Sequence, residues 1–181
     1  VTGSCGSRLP LPPKPKSILG ITLSFIGLIL QDKSIIYNLM QLYTYELSFF
    51  EDETATFTML DSGLYVMNKY VERYWQEENR HPYILKCNNE LAGFVLQRFN
   101  EENMNEVAEF FVLNKYRKIG AGTFMANKMF ELYKGKWEVC TLLKNERAQK
   151  FWRNTIKNFT NNNFEEKYIR NNSRLAFYFE S

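Results

Sequence analysis

The sequence contains a single histidine, His81, among its 181 residues. A zinc site built on several histidines is therefore excluded, and no Cys-x-x-Cys pair is present to replace it. His81 is also the only imidazole available to activate a serine or cysteine nucleophile, and it precedes Pro82 in a polar stretch typical of a turn. We therefore predict neither a metal site nor a hydrolytic triad.

The sequence also has few cysteines and only a small net charge. Cys5, Cys87 and Cys140 are an odd number at wide spacing, which favours free thiols over a disulfide framework. Free thiols are typical of a reducing compartment, so we expect a cytoplasmic protein. The 23 Lys and Arg residues face 20 Asp and Glu residues, for a net charge of +3. On charge alone, nucleic acid is not an expected partner.

Aromatic residues, in contrast, are abundant at 16% of the chain, with 15 Phe, 11 Tyr and 3 Trp. A length of 181 residues and a hydrophobic share of 45% fit one globular domain. The core of such a domain needs fewer rings than this. We therefore expect some of the rings to line a ligand cleft.

Proline is concentrated near the start of the chain, where four of the five prolines lie between Pro10 and Pro15. Proline removes backbone donors and fixes φ, so residues 1–18 are predicted to be a tail, or a cloning remnant, outside the fold. Residues 19–181 are predicted to form the domain.

The apolar run at residues 17–30 follows two lysines and has two interpretations. One is a membrane anchor, for which the run is short, because a spanning helix takes about 20 residues. The other, which we favour, is a buried strand from Ile21 to Leu30 with Ile21, Leu23 and Phe25 on one face. We therefore expect no membrane association.

Periodicity and turn residues predict a mixed α/β order of elements along the rest of the chain. Four helices are expected: from Asp32 or Ser34 to Phe49, within residues 51–80, at 123–133 and at 146–159. After the strand at 21–30, further strands are expected at 83–87, 91–99, 106–113, 137–143, 164–169 and 175–179. This order shows no internal repeat and no linker.

The most informative segment joins a predicted strand to a predicted helix and reads Arg117-Lys-Ile-Gly120-Ala-Gly122. Glycines let the backbone approach a ligand, and the first amides of a helix point at an anion. A diphosphate is the natural ligand, although Gly-x-Gly before a helix also suits an ordinary turn. A Rossmann fingerprint is excluded because position 125 is Met, and no Gly-Lys-Ser/Thr run indicates a P-loop.

This segment resembles the Arg/Gln-x-x-Gly-x-Gly/Ala signature of the GCN5-related N-acetyltransferase (GNAT) superfamily. The preceding strand, Glu106–Leu113, is similar to the family's fourth strand, and Asn145–Trp152 is similar to its Asn-x-x-Ala-x-x-Phe-Tyr element. Short sequence segments near this signature resemble those of a bacterial branch of predicted acetyltransferases. Over residues 21–181 the resemblance implies a twisted mixed β-sheet of about seven strands flanked by about four helices. It also implies that acetyl-CoA enters where the fourth and fifth strands splay.

The same resemblance implies which residues bind acetyl-CoA, and it implies no metal. Backbone amides near Val112 and Leu113 are expected to pair with the pantetheine arm. The diphosphate is expected at Arg117, Lys118, Gly120, Ala121, Gly122 and Thr123, and the far side of the cofactor at Asn145 and Phe151. The sequence departs from the pattern at Lys118-Ile119, where Gly-Lys is usual. It departs again at Trp152, where many members have the tyrosine that protonates the CoA thiolate. An indole cannot act as that acid, so water or Tyr116 is left as the donor.

A carboxylate on the strand before the signature is the expected base, because an ammonium must lose a proton before it attacks. Glu106 lies six residues before Val112, at the place of the catalytic glutamate in histone-modifying members, and Glu109 lies three residues nearer the thioester. Side chains alternate along a regular strand, so the two face opposite ways unless a bulge intervenes. Either glutamate is alternatively an ordinary solvated or salt-bridged strand residue.

Many of the aromatic residues fall between Tyr37 and Trp75, in the half that walls the acceptor pocket in this superfamily. With acidic neighbours at Glu46 and residues 51–53 they suit a cationic amine, although ordinary core packing explains the rings at least as well. We expect an acetyl-CoA-dependent N-acetyltransferase acting on a small-molecule or peptide amine, with a homodimer left open. The alternative is a CoA-binding module of the same fold with little or no catalytic activity.

Overall fold

The computed structural model describes residues 15–18, 20–50 and 56–181. Eight strands form one sheet in the order β1-β2-β3-β4-β5-β6-β8-β7. The strands are β1 (Lys16–Ile18), β2 (Ile21–Gly27), β3 (Arg80–Cys87), β4 (Glu90–Phe99), β5 (Asn105–Val112), β6 (Lys136–Leu142), β7 (Phe164–Ile169) and β8 (Arg174–Glu180). Strands β5 and β6 are parallel, and the other neighbouring pairs are antiparallel. The predicted mixed α/β fold is confirmed.

The first two strands revise the reading of the N-terminal part. Strand β2 buries Leu23 and Phe25 with Ile21 packed beside them, as the alternation predicts. Lys16–Ile18, which the proline pattern assigned to the tail, pair with β2 as strand β1 and raise the strand number to eight. These residues follow the last proline of the tail, so their backbone donors are intact. Residues 1–14 lie outside the described residues.

Three α-helices and a 3-10 helix of seven residues accompany the sheet: α1 (Lys33–Leu47), α2 (Ala121–Leu132), α3 (Glu146–Phe159) and the 3-10 helix Lys69–Trp75. The 3-10 helix takes the place of the predicted second helix. The Asn68 side chain caps it by accepting a hydrogen bond from the Tyr70 N–H at 3.2 Å. Among the described residues, no helix is both long enough and apolar enough to cross a membrane.

The helices divide between the two faces of the sheet. Helices α2 and α3 cover one face, where Phe130, Trp137 and Phe177 are fully buried. Helix α1 and the 3-10 helix cover the other face, around Ile36 and Phe94. We call these the α2/α3 face and the α1 face. Burying each such side chain contributes about 1.5–3 kcal/mol, so both helical layers are held firmly to the sheet.

The stretch around His81 is a strand and not the predicted turn. His81 and Pro82 belong to β3, whose pairing with β4 begins at Arg80. Pro82 has no N–H to donate, but its carbonyl accepts a hydrogen bond from the Leu28 N–H at 3.0 Å. The His81 ring stacks on Tyr133 with ring centroids 5.0 Å apart. This packing gives His81, the only histidine of the sequence, a structural role in the sheet.

The centre of the sheet is irregular on both sides of β5. On one side, β5 and β6 pair over only three residues each, Asn105–Val107 with Trp137–Val139, and then part. On the other side, Gly93 of β4 pairs with Val112, and a Cβ at Gly93 would lie 2.2 Å from the Phe111 carbonyl oxygen. Glycine is therefore required at this point. The parting of β5 and β6 is the splay that the GNAT resemblance implies.

Candidate active site

A cavity of 830 Å³ lies where β5 and β6 part. Its walls come from β5, β6, α1, α3, the segment at residues 56–58 and 66–70, and the hairpin between β7 and β8. Its lining includes the polar, charged or aromatic residues Tyr43, Lys69, Tyr70, Glu106, Glu109, Cys140, Asn145, Trp152, Arg170 and Arg174. This size is within the range of small-molecule and cofactor sites.

A β-bulge on β5 brings both candidate glutamates into the cavity. Leu96 of β4 pairs with Glu109 while the next residue, Gln97, pairs with Val107, so Ala108 is the extra residue. The bulge reverses the alternation of side chains at this point. Glu106 and Glu109 therefore lie on the same face of the sheet, the α1 face, although they are three residues apart. A bulge is the one condition under which strand alternation permits this arrangement.

The two glutamates have different partners. The Arg98 guanidinium donates to both carboxylate oxygens of Glu106, at 2.7 and 3.0 Å. Arg98 lies directly opposite Glu106 on the neighbouring strand β4, so the ion pair connects β4 to β5. A bidentate ion pair of this kind fixes the carboxylate and occupies its lone pairs. Glu106 is thus held as an ion-paired carboxylate.

Glu109, in contrast, has no cationic partner among the described residues. Burial raises its pKa to about 7, and a hydrogen bond from Tyr43 partly offsets this rise. Burial and the neighbouring Glu109 carboxylate in turn raise the pKa of the Tyr43 hydroxyl. The Tyr43 ring packs against Phe94 and Phe111, with centroids 5.8 Å away in each case. A carboxyl group with a pKa near neutrality suits the exchange of protons with a substrate.

The signature loop forms a turn with unpaired backbone amides at the start of α2. Gly120, the residue before the helix, has φ +83, a conformation that favours glycine. The backbone N–H groups of residues 118–123 make no hydrogen bond within the described part of the chain. Six consecutive unpaired amides at a helix N-terminus provide the donors that a diphosphate requires.

Two side chains of the loop adopt positions that the motif did not predict. Lys118 is exposed and has φ +65, so a lysine occupies a left-handed position where glycine is usual. The Arg117 guanidinium is committed elsewhere: it donates to both oxygens of Glu46, at 2.6 and 2.7 Å, and to the Val112 carbonyl at 2.6 Å. Arg117 thereby ties the loop to α1 and to the end of β5. The backbone N–H of Arg117 is used as well, because it donates to the Asn114 carbonyl at 3.2 Å.

The backbone of Leu113 corrects one expectation. Its N–H donates to the Ala92 carbonyl at 2.8 Å, and its carbonyl accepts from the Tyr116 N–H at 2.9 Å. The Leu113 amide is therefore used within the protein and is not available to a pantetheine arm. Val112 ends β5, with its side chain buried on the α2/α3 face.

Asn145 and Phe151 lie on the other side of the gap between β5 and β6. The Asn145 side chain caps α3 by accepting from the Ala148 N–H at 3.0 Å, and Asn145 also lines the cavity. Phe151 packs so closely on α2 that a Cβ at Gly122 would lie 3.2 Å from its ring. The structure thus brings the loop and α3 into contact through Gly122 and Phe151.

The structure places both Trp152, which replaces the family's tyrosine, and Tyr116, the side-chain candidate for the thiolate acid. Trp152 is buried and lines the cavity, with its ring packed against Phe110 and Phe151 at centroid distances of 4.7 and 4.9 Å. Tyr116 is not among the residues that line the cavity. Its hydroxyl donates a hydrogen bond to Glu90. The hydroxyl of Tyr116 is therefore directed away from the site.

The aromatic residues of the acceptor half have several different roles. Of those noted in the sequence, Tyr43 and Tyr70 line the cavity. Tyr74 lies in the core, and Tyr45 and Phe49 pack against each other at the surface. The acidic neighbour Glu46 is ion-paired with Arg117, and residues 51–53 lie outside the described residues. Most of these rings therefore do not wall an acceptor site.

Three functional features were absent from the sequence reading: the hydroxyl of Tyr43 beside Glu109, the ion pair of Arg98 with Glu106, and the cavity position of Arg170 and Arg174. Each joins segments far apart in the chain. Of the three, only the ion pair of Arg98 with Glu106 had a usable signal in the sequence, which is the alternation of side chains along the two paired strands.

Comparisons with known proteins agree with this architecture. The model of the acetyltransferase (GNAT) family matches residues 39–155. Searching curated protein sequences gave no significant match. Among solved structures, the GNAT domain of S. lividans PAT is 13% identical with a TM-score of 0.60, and the alignment covers 88% of this chain and 91% of that one.

Two other similar structures contain the coenzyme. A putative streptothricin acetyltransferase from Bacillus anthracis, in complex with acetyl coenzyme A, is 16% identical with a TM-score of 0.53 over 88% of this chain and 98% of that one. The PaiA N-acetyltransferase from Thermoplasma acidophilum, in complex with coenzyme A, is 11% identical with a TM-score of 0.58 over 88% and 99%. These likenesses show the shared fold. Because the family model spans more than half of the sequence, the chain belongs to the GNAT family of acetyltransferases.

Proposed function

We propose that the protein is an acetyl-CoA-dependent N-acetyltransferase that transfers an acetyl group directly to a primary amine. The observation that carries this proposal is the position of Glu109, a carboxyl group with a pKa near 7, in the cavity where β5 has parted from β6. Strand β5 leads from this carboxyl to the unpaired amides at the start of α2. The proposed proton acceptor thus lies on β5, and the proposed anion-binding turn follows the same strand after a short stretch of chain.

The residues that would hold acetyl-CoA fit its chemistry. The backbone amides of Lys118, Gly120, Ala121, Gly122 and Thr123 have no hydrogen-bond acceptor within the described part of the chain and can donate to the diphosphate. Beyond Val107, alternate N–H groups of β5 face the gap toward β6 and suit an extended amide arm. The same groups suit the oxyanion that develops at the attacked carbonyl. Acetyl-CoA supplies an activated thioester, so no metal is required for the transfer.

Glu109 is the proposed base, and Glu106 is a positioning residue. The Glu109 carboxylate takes a proton from the attacking nitrogen, directly or through water. Its pKa of about 7 keeps a large fraction of the carboxylate ionised at neutral pH and still lets it hold the proton. Glu106 is bound to Arg98 on both oxygens and is therefore a poor base. Its role is to fix β5 against β4 beside the bulge.

The departing thiolate receives its proton from water in this scheme. Trp152 stands where the family commonly has a tyrosine, and its indole cannot supply a proton at neutral pH. The Tyr116 hydroxyl is bound to Glu90, outside the cavity. A thiolate is a stable leaving group, so expulsion does not depend on an acid at this position.

Substitution Gly120→Trp tests the loop. The indole would fill the space above the free amides, so acetyl-CoA binding measured by isothermal titration calorimetry is expected to be lost. Gly63→Trp is the matched control, because Gly63 has a similar φ of +77 and nothing lies within 4 Å of a Cβ there. The control carries the same backbone strain and should bind acetyl-CoA like the wild type. Equal affinity in both variants would refute the placement of the diphosphate.

The alternative proposal, a CoA-binding module with little activity, is favoured by one observation, the buried Trp152 in place of the tyrosine. A thiol-release assay with acetyl-CoA and a panel of amines separates the two. Turnover of any amine supports the transferase. Tight binding of acetyl-CoA with no amine-dependent thiol release supports the binding module.

We also propose that residues 19–181, extended by strand β1, act as one catalytic domain in the cytoplasm, without membrane association. The supporting observation is that Cys87 and Cys140 are free thiols. Fractionation of the producing cells tests the compartment, and recovery in a membrane or extracellular fraction would contradict it. Sedimentation measurements on the purified chain test whether it forms a homodimer.

A further inference from the structure

One wall of the cavity is built mainly from apolar side chains. Helix α1 and residues 56–58 and 66–70 form this part of the lining, which we call the apolar wall. More than half of its residues are large and apolar or aromatic, among them Met40, Tyr43 and Leu47 of α1 and Phe57, Met67 and Tyr70 of the two segments. Among the described residues of this wall, Lys69 alone is charged, and it is exposed.

The apolar wall is continuous with the hydrophobic core of the α1 face. Met40 is buried in that core, and Tyr43, Met67, Tyr70 and Ala108 pack against the core while they also line the cavity. Because the core holds these side chains, their apolar surface stays turned toward the cavity. Such a surface favours a ligand whose own apolar groups cover it and remove it from water.

One carboxylate without an ion-pair partner lies beside the apolar wall. The described lining contains two carboxylates, Glu106 and Glu109. Both oxygens of Glu106 accept from Arg98, as given above. Glu109 accepts a hydrogen bond from Tyr43 of the wall itself and has no cationic partner in the part of the chain that the structure describes. The site therefore offers a place for one ammonium next to an apolar surface.

The arginines of the hairpin between β7 and β8 have protein partners of their own. Arg174 donates to the Ser173 carbonyl at 2.9 Å, and Arg170 acts electrostatically on Glu138. Arg174 pairs with Leu142, so the hairpin borders the cavity from the β6 side, whereas Glu109 lies on β5. These arginines are not assigned a role in acceptor binding.

On the basis of the proposed transferase function, we infer that the acceptor is a primary amine carried by an apolar chain or ring, with no second charged group. The apolar part lies along the apolar wall, and the amine reaches the Glu109 carboxylate. In the transfer a C–N bond forms, the C–S bond of the thioester breaks, the proton lost by nitrogen passes to Glu109, and CoA leaves as the thiolate. A second ammonium would lie against Met67 or Leu47 without a partner, which is costly.

A homologous series of alkylamines tests the inference. Propylamine, butylamine, pentylamine and hexylamine share the same amino group, so differences in kcat/KM, measured by thiol release from acetyl-CoA, report contacts of the chain. Burial of each added methylene is expected to raise kcat/KM by about 2- to 4-fold. Hexylamine should also react about 10-fold or more faster than 1,6-diaminohexane, which has the same length and a second ammonium.

The substitution Met67→Gln tests whether the apolar wall is the cause. The side chain keeps its length and becomes polar, so the gain per methylene should fall to about 1.5-fold or less. The affinity for acetyl-CoA measured by calorimetry should stay unchanged. Met59→Gln is the matched control, because Met59 is exposed and does not line the cavity, and it should keep the full dependence on chain length. If Met67→Gln loses acetyl-CoA binding, Val66→Thr replaces it, because Val66 lines the same wall and is half exposed.

The outcomes separate this inference from the proposed function. Equal kcat/KM along the series, or faster turnover of 1,6-diaminohexane than of hexylamine, would overturn the inference and leave the transferase in place. A dependence on chain length that the wall variants leave intact would overturn it as well. So would a preference for hexanoyl-CoA over acetyl-CoA that these variants abolish, because the wall would then hold the acyl group of the donor.

If no amine releases thiol, the proposed function fails, and calorimetry of the same amines on the protein loaded with acetyl-CoA decides the inference. Affinity that rises with chain length, and does so less in Met67→Gln, supports the apolar wall as the acceptor site. Equal affinities along the series would overturn it.

Discussion

The substitution Glu109→Gln offers the sharpest test of the site, because it keeps the size of the side chain and removes its titration. If Glu109 is the base, kcat/KM is expected to fall by about 10²- to 10⁴-fold. The wild-type pH profile should show an acidic limb with an apparent pKa of about 7, the value that burial gives this carboxyl. The variant should lack that limb.

The same substitution has a signed effect on stability. The pKa of Glu109 rises from 4.5 to about 7 on folding, so the folded state binds the proton more tightly than the unfolded state. The stability that this proton contributes is present below pH 4.5 and is lost as the pH rises through 7. One pKa unit corresponds to about 1.4 kcal/mol, so the loss reaches up to about 3 kcal/mol. The glutamine variant does not titrate and escapes this loss.

Urea unfolding of the wild type and the variant, followed by tryptophan fluorescence between about pH 4 and pH 8, measures the difference. The free energy of unfolding of the wild type should decline relative to the variant across that range. Glu106→Gln is the control, because it leaves the partly buried Arg98 without its carboxylate and should destabilise the protein at neutral pH. A constant difference between wild type and Glu109→Gln at every pH, or an acidic limb that survives in the variant, would refute the reasoning.

Three further substitutions follow from the structure. Tyr43→Phe removes the hydrogen bond that lowers the pKa of Glu109, so the acidic limb of kcat/KM should move to higher pH; an unmoved limb would contradict the contact. Gly93→Ala places a Cβ 2.2 Å from the Phe111 carbonyl oxygen and should lower the free energy of unfolding by more than about 2 kcal/mol in urea. Lys118→Gly relieves a φ of +65 and should raise that free energy by up to about 1 kcal/mol while acetyl-CoA still binds; a loss of stability would show that the lysine is not strained.

The strands and the signature loop were predictable because their signals are local. Alternation placed Leu23 and Phe25 on one face, and the glycines at the end of the pattern from Arg117 to Gly122 predicted the turn that precedes α2. The strand at Lys16–Ile18 was missed because the prolines before it dominate the local composition. The 3-10 helix Lys69–Trp75 was located only broadly, since its pattern is short and mixed.

The candidate base was predictable only as a pair of alternatives. The extra residue at Ala108 decides that Glu106 and Glu109 share a face, and a bulge leaves no reliable mark in a single sequence. The difference between the two glutamates comes from Arg98, on another strand, and from Tyr43, on α1. Such contacts depend on the register of the sheet and on the packing of a helix, and neither is written in the segment that carries the glutamates.

Helix α1 contacts both halves of the active site within a single turn. Tyr43 reaches the carboxyl of Glu109, and Glu46, three residues later on the same side of the helix, holds the guanidinium of Arg117. Helix α1 therefore connects the proposed base to the proposed diphosphate turn. We expect a displacement of α1 by a bound acceptor to shift the loop before α2 as well, so the affinities for the acceptor and for acetyl-CoA should depend on each other.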